Sequence, residues 1–453
     1  MKKNTISIFF TLILLVLSLI PSVGLLLFGE SAASGNEAKA ALPKLYSAEG
    51  LNLQFLDEFK AYYSQNFYLR EEAVTGWAEL STELGQSSNE QLTLGREGWL
   101  YYRETLDDYR GIGLSDESLA EISRNLSLAQ QSAERRGASF LFVIAPNKIS
   151  LYDKNAPDYV KKNYESSNAA RLMPMLEKAG VGHADLFKAF AGQGETLYYR
   201  TDSHWTVKGA ALGADTITAA FGRPTQYFAQ DFSVPGTHRG DLYDMLYPRA
   251  AEVENELLPS KGWSFRTKGD ARGGDAVTIR TENDIASGKL FCLRDSFGNA
   301  LYPYLAESFS SATFSRSDRY DMCRSEALEA DFVLFEIVER NIDWLWEKPM
   351  LFPACSQQAP DAEQSDLKLK ASAEDHAEAE AQVVTVELPA ALRTPGSPVY
   401  LIADGLAYEA SVNADPASEE SVRLTACLPE KMAVEGVIAE RGGLTVFYPC
   451  ATD

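Results

Sequence analysis

Three short apolar runs limit what this chain can fold into: Phe140–Ala145, Leu290–Leu293 and Phe332–Val338. None shows a regular alternation of apolar and polar side chains. Such a run fits a strand covered on both faces, as in a parallel sheet. Two of the runs end in polar turn residues, Pro146-Asn147-Lys148 and Arg294-Asp295-Ser296. Helix-patterned stretches precede and follow the first run: Ser115–Arg136 with Ser115 as N-cap, Ala169–Ala179 with Pro174 inside it, and Lys208–Phe221. Val181–Phe187 reads as a further strand. Strands alternating with helices predict an α/β sandwich with helices on both faces.

The 453 residues leave room for about two or three domains. Residues 1–28 hold an uncharged run, Ile6–Phe28, behind Lys2 and Lys3. At about 1.5 Å per residue it spans roughly 30 Å, the thickness of a bilayer core. The lysines before it and Glu30 after it put the N-terminus in the cytoplasm and the rest outside. This predicts a signal-anchor transmembrane helix in the cell membrane. The alternative is a cleaved signal peptide and a secreted protein, with Ala38-Lys39-Ala40 as the cleavage site, although the run exceeds the usual apolar core of roughly 7–15 residues. Residues 29–49 read as a stalk. Residues 50–355 form the expected catalytic domain, opening on helically spaced apolar residues between Leu51 and Leu84 that should pack on a core. Residues 356–381, rich in Ala, Glu, Asp, Gln and Ser without an aromatic, read as a linker. Residues 382–453 read as a small all-β module.

The net charge of -22 argues against a nucleic-acid partner, because such a surface repels phosphate backbones. None of the five cysteines sits in a CxxC pair, so no metal site is expected, and nothing implies a cofactor. Export permits disulfides, and Cys427 with Cys450 is a candidate pair. Buried unpaired thiols are the competing expectation.

Of the four histidines, His204 has the most informative surroundings, Thr201-Asp202-Ser203-His204-Trp205-Thr206, just before a helix pattern. An Asp two residues before a His can orient the imidazole across a curved loop. Ser296 lies in Arg294-Asp295-Ser296-Phe297-Gly298-Asn299, where a buried strand gives way to a helix. There α/β folds expose nucleophiles, and backbone N–H groups meet developing negative charge. Taken alone, each string reads at least as readily as a helix cap beside a packed side chain. Trp205 either packs the loop or offers a sugar-stacking face, and Tyr243 either touches substrate or is structural. Asp295 is a second acceptor near the serine or a cap. Lys148 and Arg340 hold the site together or touch substrate. His238 is the rival base, His183 is structural, and His376 should be solvated in the linker.

Together the two strings resemble the alginate O-acetyltransferase family of SGNH hydrolase-like proteins (AlgJ/AlgX-like, DHHW-type). Gly95–Tyr102, Pro146–Tyr152, Gly240-Asp241-Leu242 and Glu339-Arg340 resemble further family segments. The likeness runs to about residue 350 and leaves the tail unmatched. It implies a three-layer α/β/α fold with Ser296 as nucleophile, His204 as base and Asp202 as orienting acid. Backbone N–H groups at Ser296 and Phe297, with the Asn299 amide, are the expected oxyanion donors. Ser203 departs from the second histidine of many DHHW proteins. The implied function is O-acetyl transfer to an extracytoplasmic glycan, with a membrane-bound O-acyltransferase supplying the acetyl group. An acetylesterase with the same residues, or a non-catalytic glycan-binding protein, is the alternative.

Overall fold

The computed structural model describes residues 2–31, 39–47, 50–269, 271, 273–317, 320–429 and 432–451. Helix α1, Lys2–Phe28, contains a stretch, Ile8–Phe28, long and apolar enough to cross a membrane. Its end meets the first globular helix, α2 (Phe55–Asn66), which is followed by α3 (Arg70–Glu83). Ser22 Oγ and Tyr63 Oη lie 2.7 Å apart. The helical spacing of residues 51–84 is realised, but the expected packing is only partial. Tyr62 is buried, whereas Leu53 and Leu56 remain exposed.

The central sheet uses strands β1 (Ser139–Ala145), β2 (His183–Ala184), β3 (Arg266–Lys268), β4 (Thr278–Glu282), β5 (Lys289–Leu293), β6 (Ser311–Ser315) and β7 (Phe332–Val338). Its order is β2-β1-β7-β5-β6-β4-β3. Pairing is parallel from β2 through β6 and antiparallel at β4 and β3. Helices α4 (Asp116–Glu134) and α5 (Asn168–Ala179) cover one face. Helices α6 (Leu186–Ala191), α7 (Val207–Ala220) and α8 (Gly298–Ser308) cover the other. Phe140, Phe142 and Ile144 enter the first core, and Leu141, Val143 and Ala145 the second. Both faces of β1 are therefore buried, which is why the run lacks alternation. Val181–Phe187 is a strand only at His183–Ala184, because the Asp185 side chain accepts from Lys188 N at 2.9 Å and starts α6.

The tail forms a separate sheet, and its longer strands pack on an apolar core around Val384, Leu401, Leu424 and Val437. The linker expected over 356–381 is corrected. Ser356–Gln358, Glu363–Gln364 and Leu369–Asp375 are strands of this sheet. They lie mostly exposed, so their polar composition does not prevent pairing. His376, expected in solvent, is buried against Asp321, with Nε2 to Oδ2 at 3.0 Å. The tail sheet docks on α4: Asn125 exchanges hydrogen bonds with the Val412 backbone at 2.9 and 3.1 Å. Glu121 and Arg393 form a buried ion pair across the same contact.

Candidate active site

The loop before α7 is held at both ends. Thr206 N donates to Leu197 O at 2.8 Å, and the Thr206 hydroxyl caps α7 by accepting from Gly209 N at 3.0 Å. A Cβ on Gly209 would lie 2.4 Å from Leu197 O, so only glycine lets helix and loop approach this closely. Beneath the loop, buried Lys148 donates from Nζ to the carbonyls of Tyr199 (3.2 Å), Arg200 (3.0 Å) and Asp202 (2.6 Å). Burial brings the Lys148 pKa down to about 8, against the opposing pull of Asp202, Asp241 and Glu254. Lys148 thus shapes the loop backbone and is spent on it.

Asp202 is the hub of the loop. Its Oδ1 accepts from His204 N at 2.8 Å and lies 2.7 Å from His204 Nδ1. Its Oδ2 lies 2.7 Å from His238 Nε2 and accepts from Asp241 N at 3.0 Å. Burial works to raise the Asp202 carboxyl, yet His204 and His238 hold it well below the usual range. Gly240 is required for this approach, since a Cβ there would sit 2.2 Å from Thr201 O. Asp241 in turn accepts from Ser203 N at 2.7 Å and from the Ser203 hydroxyl at 2.5 Å. Burial, then the charge of Asp202, raise the Asp241 carboxyl.

Ser296 follows β5 and precedes α8. Its Oγ lies 2.8 Å from His204 Nε2, on the nitrogen opposite Asp202. With the Nδ1 proton directed at Asp202, Nε2 can accept from the serine hydroxyl. Burial opposes charging of His204, but Asp202 outweighs it and lifts the imidazole above its ordinary value. Hydroxyl, imidazole and buried carboxylate therefore form a continuous path for moving a proton off Ser296. Asp202, His204 and Asp241 also bring donor atoms within 4.8 Å of one another, a set that could hold a cation. Ser296, His204 and Asp202 open on a cleft of about 1330 Å³.

The other sequence-selected residues divide. Asp295 is a turn-holder: it accepts from Phe297 N at 2.8 Å and Val338 N at 2.6 Å. That engages the Phe297 N–H expected to face an oxyanion. Asn299 is also turned away, with Nδ2 donating to Asp275 at 2.6 Å and Oδ1 accepting from Arg294 at 2.6 Å. Arg340 lines the cleft, its guanidinium 5.7 Å from the Phe297 ring centre and 5.5 Å from that of Tyr102. Trp205 cannot serve as a sugar platform, because it is 1% exposed. Its indole donates to Phe297 O at 3.2 Å and its ring meets Phe297 edge-on. Trp205→Ala is expected to cost about 3–5 kcal/mol of stability, read as a lowered denaturant midpoint. Tyr243 lies off the cleft wall and donates to Glu252 at 3.2 Å.

Sequence reasoning missed three features. His238 reaches Asp202 rather than Ser296, stacked on Tyr199 with ring centres 3.7 Å apart. Exposed Trp77 and Trp344 line the cleft. Glu336, 1% exposed on β7, accepts from Asp295 N at 3.2 Å, and burial raises its carboxyl well above the usual range. A lone acid inside an otherwise apolar strand was the available signal for the last.

Residues 92–272 match the family model of the SGNH hydrolase-like domain of acetyltransferase AlgX. The match includes Asp202 and His204 and stops before Ser296. The probable alginate O-acetylase AlgJ of Pseudomonas syringae pv. tomato is 27% identical over 256 residues, 52% of this chain and 62% of that protein. Its Pseudomonas aeruginosa counterpart is 24% identical over 295 residues, 62% of this chain and 71% of that protein. The chain thus spans about three-fifths of the first relative's length. The solved structure of Bacillus cereus PatB1 aligns over 56% of this chain and 97% of its own, with a TM-score of 0.44 and 18% identity. The resemblance read from the sequence holds: this chain is similar to the AlgJ/AlgX-like SGNH hydrolase-like proteins.

Proposed function

We propose that the chain is an extracytoplasmic glycan O-acetyltransferase working through an acetyl-serine at Ser296. The observation that carries this reading is the hydrogen-bonded path from Ser296 Oγ through His204 to Asp202 at an open cleft. The relatives named as O-acetylases support the acetyl chemistry. Residues 50–355 would hold the catalytic unit, α1 would anchor it, and a membrane-bound O-acyltransferase would supply acetyl beside it.

Ser296 Oγ attacks the acetyl carbonyl carbon while His204 Nε2 takes its proton. The tetrahedral oxyanion collapses, the donor's leaving group departs with the proton from His204, and acetyl-serine remains. A sugar hydroxyl then gives its proton to His204 and attacks the acetyl carbon, and Ser296 leaves re-protonated. Asp202 stabilises the imidazolium in both halves. Arg340, one of the cationic groups of the cleft wall, has its guanidinium 5.7 Å from the Phe297 ring centre and is suited to the oxyanion side. Trp77 and Trp344 offer apolar faces to an acceptor glycan.

The test uses the full-length chain in detergent with an acetyl-ester dye and oligosaccharides of several backbones. Oligosaccharides that gain the mass of an acetyl group, with dye release, are expected. Dye release with unmodified sugars makes the protein an acetylesterase. Neither product, with glycan still bound, makes it a binding protein.

A further inference from the structure

Cys323 and Cys427 are 104 positions apart, one following β6 and the other in the tail strand Ser421–Pro429. Both are buried, and their sulfurs lie 2.8 Å apart. The stretches carrying them are fixed by one short segment. Leu351 N donates to Tyr320 O at 2.8 Å, and Met322 N donates to Leu351 O at 2.7 Å. Three residues on, Ala354 N donates to Cys427 O at 2.8 Å. Residues 351–354 therefore hold both cysteine backbones in place.

The neighbouring polar groups do not compete for the sulfurs. Asp321, Cys323 and His376 lie close enough to suggest a cation site. However, His376 Nε2 bonds Asp321 at 3.0 Å and its Nδ1 accepts from Glu378 N at 3.1 Å. Asp321 Oδ1 accepts from Cys323 N at 2.8 Å. Each donor atom of His376 and Asp321 is already engaged within the protein.

We propose that Cys323 and Cys427 form a disulfide that fastens the tail sheet to the parallel-sheet unit. This rests on the extracytoplasmic reading above, where an oxidising disulfide donor is at hand. One thiolate attacks the donor's disulfide and releases one donor thiol. The other thiolate attacks the resulting mixed disulfide and releases the second. The cysteines lose two protons and two electrons, and the donor gains them as two thiols. Contact with Cys427, then burial, hold the Cys323 thiol far above the ordinary cysteine range. The closed, reduced pair is therefore inert, and the bond forms as the two units come together. Half-buried Arg136, whose charge favours the Cys323 thiolate, aids the attacking form. The pairing replaces Cys427 with Cys450 as the candidate bridge.

The full-length chain is extracted from exporting cells in detergent, with free thiols blocked at lysis and no reductant. Trypsin then isolates each cysteine on its own peptide, residues 320–324 and 424–431. A linked pair of these peptides, lost on reduction, is the expected result. Both peptides in blocked-thiol form, or either joined to Cys355 or Cys450, overturns the pairing. Thiols that block only after a chelator strips a metal overturn it in favour of a cation site. Protease added to spheroplasts, in which only the inner membrane shields the cytoplasm, reads topology separately. A chain cut from outside that carries both free thiols sinks the disulfide alone. A shielded chain sinks the extracytoplasmic reading, and the bond with it.

Discussion

Ser296→Ala is expected to lower kcat/KM for an acetyl ester by about 10⁴-fold or more, with the fold intact. The hydroxyl stands at the end of the path from Asp202, and removing it leaves no oxygen to carry the acetyl group. The stability cost should be small, about 1 kcal/mol, since one hydrogen bond is lost at a half-buried position. Steady-state turnover and a thermal melt on the same preparation separate the two effects. Mass spectrometry after brief exposure to donor should find an acetyl group on the peptide holding Ser296 in the unaltered chain alone. A variant retaining activity within tenfold would place the reacting oxygen elsewhere.

Asp202→Asn should be nearly as damaging, about 10⁴-fold in turnover, because the amide cannot fix the imidazole tautomer or balance its charge. It also carries a pH signature. The base must be neutral, and burial opposed by the stronger pull of Asp202 holds His204 above the ordinary histidine value. The acid limb of the pH–rate profile should therefore lie above about 6.5. Without the carboxylate, burial dominates, and the limb of the residual activity should move to lower pH. Stability follows the carboxyl in the opposite sense. Asp202 is held well below its unfolded value, so its contribution is present above about pH 4 and is lost as pH falls through its folded value. The variant should lack that acid-dependent part of its unfolding curve. An unmoved acid limb would detach the limb from His204.

What could be read from the sequence was what is local. The runs at 140–145, 290–293 and 332–338 are strands because burial on both faces removed alternation. Asp202 and His204 are two residues apart, so their contact was within reach of the string alone. His238 and Asp241 reach the same carboxylate from 36 and 39 residues away, through a hairpin and a short helix that no periodicity foretold. Phe297 and Asn299 stand where expected in the chain, but Asp295 and Asp275 occupy their donors. The strands between 356 and 375 were hidden by exposure, because pairing uses the backbone and leaves composition free.

Strand β5 gains its neighbours, β7 and β6, only from residues that follow it in the chain, and Ser296 meets His204 across 92 positions. Closing such a span is slow compared with forming the Asp202–His204 turn. Until the closing sheet captures β5, the hydroxyl is an ordinary alcohol with no base beside it. The reactivity proposed for Ser296 is thus switched on by a long-range step of folding, and a chain that has not taken that step cannot consume activated acetyl groups.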